Sequence, residues 1–338
     1  MNYRSYNDTI TLIKENLCQL RDFDLDLIVG IPRSGMLAAY IIGLELNLDV
    51  TDLSNFTANG TLLHGNTRAS RNSLSSVSEA KNILLVDDSI RSGNSMKRAR
   101  EKINVTEEQN IFTLVVYSEH NTHQGVDVIF ECVPTPRVFE WHLFHHSIIQ
   151  STAFDMDGVL CEDPAYWQND DGKTYKDFLR GAKPKYLPTG TINSIVTNRL
   201  ERYRTETEEW LKKHGVMYSS LKMLDLASKE ERQNQSNYTA HKSNYYREND
   251  SLKLFIESDN IQALQISKSS GKPVFCVETN QMIMPDTMSK LNASPAYHLS
   301  GMKYKIIRRL PSSIVFLLVN IKSKMKKILT KLSTKDYR

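Results

Sequence analysis

The stretch Val86-Asp87-Asp88-Ser89-Ile90-Arg91-Ser92-Gly93-Asn94-Ser95 follows the apolar run of residues 82–86 (NILLV) and precedes a helical pattern at about 95–103. The apolar run predicts a buried strand, and the residues rich in Ser and Gly predict a turn into a helix. Such a turn offers backbone N–H groups, hydroxyls and a helix N-terminus to a phosphate. The two adjacent acids would repel that phosphate, so we expect them to bind another part of the ligand, such as the hydroxyls of a ribose.

Two series of short apolar runs extend along the chain around this stretch. The first comprises residues 25–31, 82–86, 111–117 and 126–130, and the second comprises 151–154, 193–197, 253–256 and 273–277. Short, mostly apolar strands that alternate with helices predict parallel sheets covered on both faces. Residues from about 229 to 249 are rich in Asn, Gln, Ser and Tyr and are predicted to form a loop.

The composition is that of a soluble globular protein with more than one domain. The chain has 338 residues, of which 40% are hydrophobic and 24% are charged, and single domains seldom reach this length. Its four cysteines are scattered without a CxxC pair, which favours a reducing compartment over a disulfide framework. The polar N-terminus has no apolar core of signal-peptide length. We therefore predict a cytoplasmic protein.

Positive charge is concentrated at the C-terminal end of the chain. The formal net charge is +4, and residues 301–338 contain eleven Lys or Arg residues and one acid, so the other 300 residues are net acidic. This distribution argues against nucleic acid as a partner. Lysines interleaved with apolar residues predict an amphipathic helix on an anionic membrane surface, at the inner face of the cytoplasmic membrane. The alternative is a helix that docks on the acidic body or on a partner.

The stretch around the acid pair resembles the motif of type I phosphoribosyltransferases that binds phosphoribosyl pyrophosphate (PRPP). The shared features are a buried strand, two acids and a turn that contains glycine and hydroxyl residues, in that order. The resemblance implies that Asp87 and Asp88 hold the ribose hydroxyls of PRPP. The residues that it assigns to the 5-phosphate are Ser89, Ser92, Gly93, Asn94 and Ser95. The family more often has Thr-Thr-Gly-Thr in this loop, so the present sequence keeps the glycine and replaces the threonines.

A second loop supports this resemblance, which covers roughly residues 1–150. Ile31-Pro32-Arg33-Ser34-Gly35 ends the first apolar run, where the family places its pyrophosphate loop. Arg33 would neutralise the leaving pyrophosphate, assisted by Mg²⁺, and the N–H groups of Ser34 and Gly35 would bind its oxygens. Residues 59–72 resemble the mobile loop of the family, with Arg68 and Arg71 as phosphate partners. A solvated loop is the simpler interpretation of that segment.

A further motif, Phe154-Asp155-Met156-Asp157-Gly158-Val159-Leu160, begins the second series. Two carboxylates at i and i+2 can approach one Mg²⁺, so that Asp155 attacks phosphorus while Asp157 protonates the leaving oxygen. The motif resembles the first motif of the haloacid dehalogenase (HAD) superfamily, and the other motifs of that superfamily follow in order. They are Thr197-Asn198, which would hold the phosphoryl group, Lys242, which would balance the charge, and Glu257-Ser258-Asp259, which would complete the metal site.

This resemblance implies a Mg²⁺ site formed by Asp155, Asp157, Glu257 and Asp259, in which the last two could exchange roles. Lys229 and Lys253 are alternatives to Lys242. The two resemblances together predict an α/β protein with two doubly wound, mainly parallel domains. Residues 1–148 are predicted to be phosphoribosyltransferase-like, residues 149–295 HAD-like with little or no cap, and residues 296–338 the basic amphipathic helical tail.

The two sites on one chain predict a function, because a phosphatase can remove the 5-phosphate that a phosphoribosyl transfer leaves. Nucleotide salvage needs that phosphate, whereas a ribose-containing glycan does not. The pair resembles PRPP-dependent bacterial ribofuranosyltransferase systems, which implies a glycan or lipid-linked acceptor in bacterial polysaccharide biosynthesis. One alternative is a nucleobase phosphoribosyltransferase fused to a nucleotidase, with residues 136–146 (PRVFEWHLFHH) as a base-binding hood in which Phe139 or Trp141 stacks on the base. Another is a regulatory protein that binds PRPP without turnover.

Overall fold

The structure is a computed structural model that describes residues 1–64, 67–104, 106–228, 230–231 and 239–285. Two parallel β-sheets with helices packed against them account for most of this part of the chain. The α/β class and the mainly parallel sheets predicted from the sequence are therefore confirmed. The predicted C-terminal tail lies outside the described residues. Within the described residues, no helix is both long enough and apolar enough to cross a membrane.

The first sheet has five parallel strands in the order β3-β2-β4-β5-β6. In chain order, its part of the protein comprises β1 (Asn2–Arg4), α1 (Tyr6–Asn16), β2 (Leu27–Gly30), α2 (Gly35–Leu46), β3 (Asp49–Asp52), α3 (Leu53–Thr57), β4 (Asn82–Ile90), α4 (Asn94–Lys102), β5 (Asn110–Ser118) and β6 (Val128–Cys132). Successive side chains of the central strand β4 enter opposite cores, Leu84 on one face and Leu85 on the other. This alternation explains why its sequence is apolar without interruption.

The second sheet has six strands in the order β10-β9-β8-β11-β12-β13, all parallel except the last. Its elements are β8 (Thr152–Phe154), α5 (Lys173–Gly181), β9 (Ile192–Leu200), α6 (Arg204–Lys213), β10 (Tyr218–Leu224), α7 (Ala240–Glu248), β11 (Leu254–Glu257), α8 (Asn260–Ser270), β12 (Val274–Cys276) and β13 (Gln281–Ile283). The chain order reverses direction at β8, with β9 on one side and β11 on the other. In open α/β sheets, ligands bind at such a switch point, beyond the carboxyl ends of the strands.

A short two-stranded ribbon joins the two sheets. The strand β7 (Arg137–Phe139) pairs with β1 in parallel register. Because side chains alternate along a strand, Val138 packs into the core of the second sheet, whereas Phe139 packs into the core of the first. Two 3₁₀ segments, Glu140–His145 and Ser147–Ser151, then lead to β8. The polypeptide between the sheets is thus built into both cores.

Three features differ from the sequence-based expectations. The residues predicted as a loop from 229 to 249 contain the helix α7, which the polar sequence AHKSNYYRE conceals because its buried anchors are Lys242, Ser243 and Tyr246. Strands β4 and β9 continue beyond the predicted ends, so their motif residues belong to the strands. Between β8 and β9, the described backbone contains one nine-residue α-helix, α5, which packs on α6.

Two candidate active sites

The acid pair of the first sheet lies near the carboxyl end of its central strand. Asp87 and Asp88 are side by side on β4 and are 7% and 4% exposed. The backbone N–H of Asp88 donates a hydrogen bond to Oδ1 of Asp87 at 2.9 Å. Burial raises the pKa of Asp87 to about 8, and the neighbouring charge of Asp88 adds to this effect. In the absence of ligand, this shift favours the protonated form of Asp87 near neutral pH.

The loop 31–35 lies directly against this acid pair. The helix α2 begins at Gly35, where a Cβ atom would lie 2.8 Å from the carbonyl oxygen of Val86 and 3.1 Å from Cα of Asp87. Only glycine permits such a close approach of two backbones. Ser34 is partly buried and Arg33, which follows a cis peptide bond, is exposed. The structure thus brings the predicted pyrophosphate loop to the predicted ribose acids.

A glycine also separates β4 from α4. Gly93 adopts φ +76°, a left-handed conformation that favours glycine, and α4 begins at the next residue. Ser92, Asn94 and Ser95 are exposed around this helix start, where the first backbone N–H groups of the helix have no intrahelical partner. This arrangement can receive a phosphate. Ser89 lies on β4 itself and is partly buried.

Side chains from two other elements donate to Asp88. The hydroxyl of Ser34 donates to Oδ1 at 2.7 Å, and the indole Nε1–H of Trp141 donates to Oδ2 at 2.8 Å. His142 Nε2 lies 3.8 Å from the same Oδ2. Burial lowers the pKa of His142, and the charge of Arg33 lowers it further, against the opposing effect of Asp88. The sequence motifs contain no signal for the contact of Trp141, which comes from a segment 53 residues away.

The second sheet gathers three charged side chains at its switch point. Asp155 follows β8 directly, and Glu257 ends the adjacent strand β11. The Nζ atom of Lys242, on α7, lies 2.7 Å from Oδ2 of Asp155 and 2.7 Å from Oε2 of Glu257. All three side chains are at most 7% exposed. The structure therefore brings together three residues that the four HAD-like motifs predict as neighbours.

The electrostatics of this cluster follow from one cation facing two anions. Burial raises the pKa of Asp155, and the negative charge of Glu257 adds to this effect, whereas Lys242 opposes it. Burial alone would lower the pKa of Lys242, but the two carboxylates outweigh burial and raise it. The lysine therefore stays protonated between the two carboxyl groups.

Asp157, the second carboxylate of the motif that begins with Phe154, has a partner that the sequence motifs did not identify. Arg199 donates to Asp157 from Nε at 3.1 Å to both oxygens and from Nη2 at 2.6 Å to Oδ1. The Arg199 side chain is fully buried. A buried arginine requires an anionic partner, but Arg199 lies beyond the predicted strand 193–197, so this ion pair could not be predicted from the sequence.

The remaining predicted residues of this site surround the cluster less directly. Thr197 is buried on β9, and its Oγ1 accepts the backbone N–H of Arg199 at 3.2 Å. The amide of Asn198 donates to Gln262 at 3.4 Å, and Gln262 lies 3.5 Å from Nζ of Lys242. Asp259 caps α8 by accepting the N–H of Gln262 at 2.7 Å.

Residues 5–145 match the family model of the phosphoribosyl transferase domain. This part of the chain is a phosphoribosyltransferase domain. Binding of PRPP and phosphoribosyl transfer are consistent with this family. It corresponds to the first sheet, α1 to α4 and the linking segment that carries Trp141. The resemblance drawn from the acid pair and the loop 31–35 is therefore confirmed at the level of the domain.

Solved structures similar to the chain include two phosphoribosyltransferases. The xanthine-guanine-hypoxanthine phosphoribosyltransferase of Helicobacter pylori is 19% identical, covers 42% of this chain and 93% of its own, and has a TM-score of 0.31. A purine phosphoribosyltransferase of Pyrococcus horikoshii is 18% identical, with coverages of 41% and 92% and a TM-score of 0.30. A Pnkp1/Rnl/Hen1 complex is 18% identical, covers 74% of this chain and 95% of its own, and has a TM-score of 0.27. The comparison with curated proteins gave no significant match.

One part of the phosphoribosyltransferase domain lies away from the acid pair. The backbone N–H of Arg71 donates to the carbonyl oxygen of Asn47 at 2.7 Å, and its guanidinium lies 3.7 Å from Asp24. Both partners are at the end of the sheet where the strands begin. The structure therefore does not bring Arg71 of the predicted mobile loop to the predicted phosphate site. Arg68 is exposed, and residues 65–66 lie outside the described residues.

The carboxylates of the second site are those that the sequence predicts as Mg²⁺ ligands. Among the residues that the structure describes, no group of three or more His, Cys, Asp or Glu side chains is arranged to hold a metal ion. Asp157 faces Arg199, Asp155 and Glu257 both face Lys242, and Asp259 caps α8, so each of the four predicted ligands has a protein partner. Mg²⁺ is commonly held by one or two carboxylates with several waters. In the described arrangement, protein donors contact all four carboxylates, so these residues do not form a ready site for the ion.

The raised pKa of Asp87 predicts a pH-dependent stability. A carboxyl group with a pKa of about 8 in the folded protein and about 4 in the unfolded chain stabilises the fold at low pH. This contribution is lost as pH rises through 8, at up to about 1.4 kcal/mol per pH unit. As the pH rises from 5 to 9 without ligand, the free energy of unfolding of the wild type should fall relative to that of Asp87→Asn. Urea denaturation of both proteins measures this difference. A difference that does not depend on pH would contradict the assignment.

Proposed function

We propose that the chain transfers 5-phosphoribose from PRPP to a glycan or lipid-linked acceptor and then hydrolyses the 5-phosphate at the second site. The observation that carries this proposal is the buried cluster of Asp155, Lys242 and Glu257 at the switch point of the second sheet. It occurs on the same chain as a phosphoribosyltransferase domain, whose products retain a 5-phosphate. A HAD-like phosphatase on such a chain has its substrate supplied by the first reaction.

The first reaction needs positioning and charge neutralisation rather than a protein nucleophile. PRPP ionises at C1, and the acceptor hydroxyl attacks as pyrophosphate departs. Asp87 and Asp88 would hold the ribose hydroxyls, while the loop 31–35 and Arg33 would receive the pyrophosphate. The contact between Gly35 and Asp87 would fix the distance between these two parts of the ligand. The chemistry that Mg²⁺ supplies when bound is neutralisation of the pyrophosphate charge.

The second reaction would use Asp155 as a nucleophile toward the phosphorus. The ammonium group of Lys242 keeps one oxygen of Asp155 in place at 2.7 Å, and the N–H of Met156 donates to the other at 2.8 Å. Attack of Asp155 on phosphorus would break the P–O bond to the sugar, the leaving oxygen would take a proton from Asp157, and an aspartyl phosphate would remain on Asp155. Asp157, which Arg199 contacts, would then accept a proton from the water that hydrolyses this intermediate and releases inorganic phosphate.

The acceptor proposal follows from what the phosphatase would do to the product. Removing the 5-phosphate destroys a nucleotide but completes a plain ribofuranosyl group. The short segment between β8 and β9, with one nine-residue α-helix, is too small for an independent cap domain. A site without a large cap can admit a phosphate carried by a bulky acceptor. Enclosure of the site by the segment that links β10 to α7 would count against this part of the proposal.

The acceptor is tested by incubating the protein with PRPP, Mg²⁺ and a panel of glycans, lipid-linked sugars and nucleobases. The measured quantity is pyrophosphate release. We expect release with a glycan or lipid-linked acceptor and none with nucleobases. Release only with a nucleobase would replace the proposal with a nucleobase phosphoribosyltransferase fused to a nucleotidase. Binding of PRPP without release with any acceptor would favour a regulatory protein.

Association of residues 301–338 with membranes is part of the same proposal. Their eleven basic residues and single acid suit an anionic lipid surface, where lipid-linked acceptors are found. Flotation with vesicles of anionic phospholipid tests it, using the chain with and without these residues. Equal partitioning of both forms would contradict the membrane role.

A further inference from the structure

The carboxylate of Asp88 is oriented by two donors that approach from different elements. Ser34 Oγ reaches Oδ1 from the loop before α2, and Trp141 Nε1 reaches Oδ2 from the segment after β7. A carboxylate has about four acceptor positions. Two donors, one on each oxygen, therefore fix the plane of the group and leave one position on each oxygen for a ligand. A ribose with two adjacent hydroxyls matches this arrangement.

The direction of the Trp141 N–H is set by aromatic packing. The indole lies nearly parallel to the ring of Phe139, with an interplanar angle of 9° and centroids 5.0 Å apart. Tyr117 stacks on Phe139 at 5.1 Å, and Tyr6 contacts Trp141 at 5.6 Å. The indole is thus part of an aromatic stack that fixes its edge toward Asp88. This packing argues against Trp141 as a platform for a nucleobase, the role considered for residues 136–146.

The segment that presents Trp141 is anchored in the second sheet as well as the first. Leu143 belongs to the core of the second sheet. Phe144 stacks on Tyr186, with centroids 4.7 Å apart and an angle of 5°, and contacts Phe154 at 6.2 Å. Phe154 immediately precedes Asp155. The position of Trp141 therefore depends on packing from both halves of the chain.

We propose that Trp141 is a positioning residue of the phosphoribosyl transfer reaction, which holds Asp88 in the orientation that receives the ribose hydroxyls of PRPP. It acts through Asp88 and does not touch the reacting C1 atom. The proposal rests on the phosphoribosyltransferase domain and is independent of the second site.

The test is calorimetric binding of PRPP, with Mg²⁺, to the full-length protein and to Trp141→Phe. Phenylalanine keeps an aromatic ring in the stack and removes the N–H donor. We expect the Kd for PRPP to rise about tenfold or more, as is typical for loss of a hydrogen bond to a charged group. Pyrophosphate, which has no ribose, should bind the variant with a Kd within twofold of wild type. Trp167→Phe, at an exposed tryptophan that is 66% accessible, serves as the matched control and should bind both ligands normally.

Two results would overturn the proposal. One is a Kd for PRPP within twofold of wild type, which would mean that the N–H of Trp141 does not contribute to ribose binding. The other is an equal loss of PRPP and pyrophosphate binding, which would mean that the substitution disturbs the domain as a whole. A loss of PRPP binding without a loss of pyrophosphate binding supports the positioning role, because neither of these two alternatives explains it.

Discussion

Replacing Lys242 with methionine is expected to lower the free energy of unfolding by about 3–5 kcal/mol. The lysine is 1% exposed and is the cation that Asp155 and Glu257 share. Its loss would leave two like charges buried side by side with no compensating cation. The loss of stability would be largest at neutral and alkaline pH, where removing the repulsion by protonating a carboxylate is least favourable. Urea denaturation at pH 7 measures the difference.

The matched control for this prediction is Lys253→Met, which makes the same substitution at an exposed lysine. Lys253 was also an alternative to Lys242 in the sequence prediction. Comparing the stabilities of the two variants therefore shows which of the two lysines neutralises the buried carboxylates. Surface substitutions of this kind change stability by about 0.5 kcal/mol or less. Equal stabilities of the two variants would contradict the buried cluster.

A substitution of Gly35 by alanine is expected to reduce phosphoribosyl transfer about 100-fold. The added Cβ would lie 2.8 Å from the carbonyl oxygen of Val86 and 3.1 Å from Cα of Asp87. These are backbone atoms of the central strand, so the loop rather than the strand must move. A displacement of about 1 Å in a positioning element can cost about two orders of magnitude in rate. The measurement is the rate of pyrophosphate release with PRPP and the acceptor found in the panel.

Gly181→Ala is the control for this second prediction, because a Cβ at Gly181 meets no atom within 4 Å. The control should retain the wild-type rate and stability. The Gly35 variant itself should lose about 1–3 kcal/mol of stability from overpacking and remain folded. A wild-type rate in Gly35→Ala would show that the loop 31–35 need not touch the acid pair for transfer.

The sequence predicted the parts of the fold that follow from chain order. Apolar runs alternating with helices predicted parallel sheets, and residues that follow such strands are expected at one edge of the sheet. Asp155 and Glu257 follow or end neighbouring strands, and Lys242 joins them from a helix. The ends of the strands were less predictable, because polar residues such as Asp87 and Asp88 are buried on β4 by tertiary packing.

Contacts between distant segments could not be predicted from the motifs. Trp141 reaches Asp88 across 53 residues, and nothing in the motif around Asp88 specifies an indole donor. The ribbon of β1 and β7, which carries Val138 and Phe139 into different cores, has strands of only three residues. Arg199 also belongs to these cases, because it lies beyond the predicted end of its strand, and only its burial in the structure implies an anion nearby.

Mass spectrometry of the product of Asp155→Asn tests whether one chain carries out transfer and then dephosphorylation. Asparagine keeps the size of the side chain but removes the nucleophilic carboxylate, so the second reaction should stop while the first continues. With PRPP, Mg²⁺ and the acceptor, the wild-type protein should yield a ribosylated product, and the variant should accumulate the 5-phosphoribosylated form. If the variant forms the same dephosphorylated product at the wild-type rate, the two sites do not act in series.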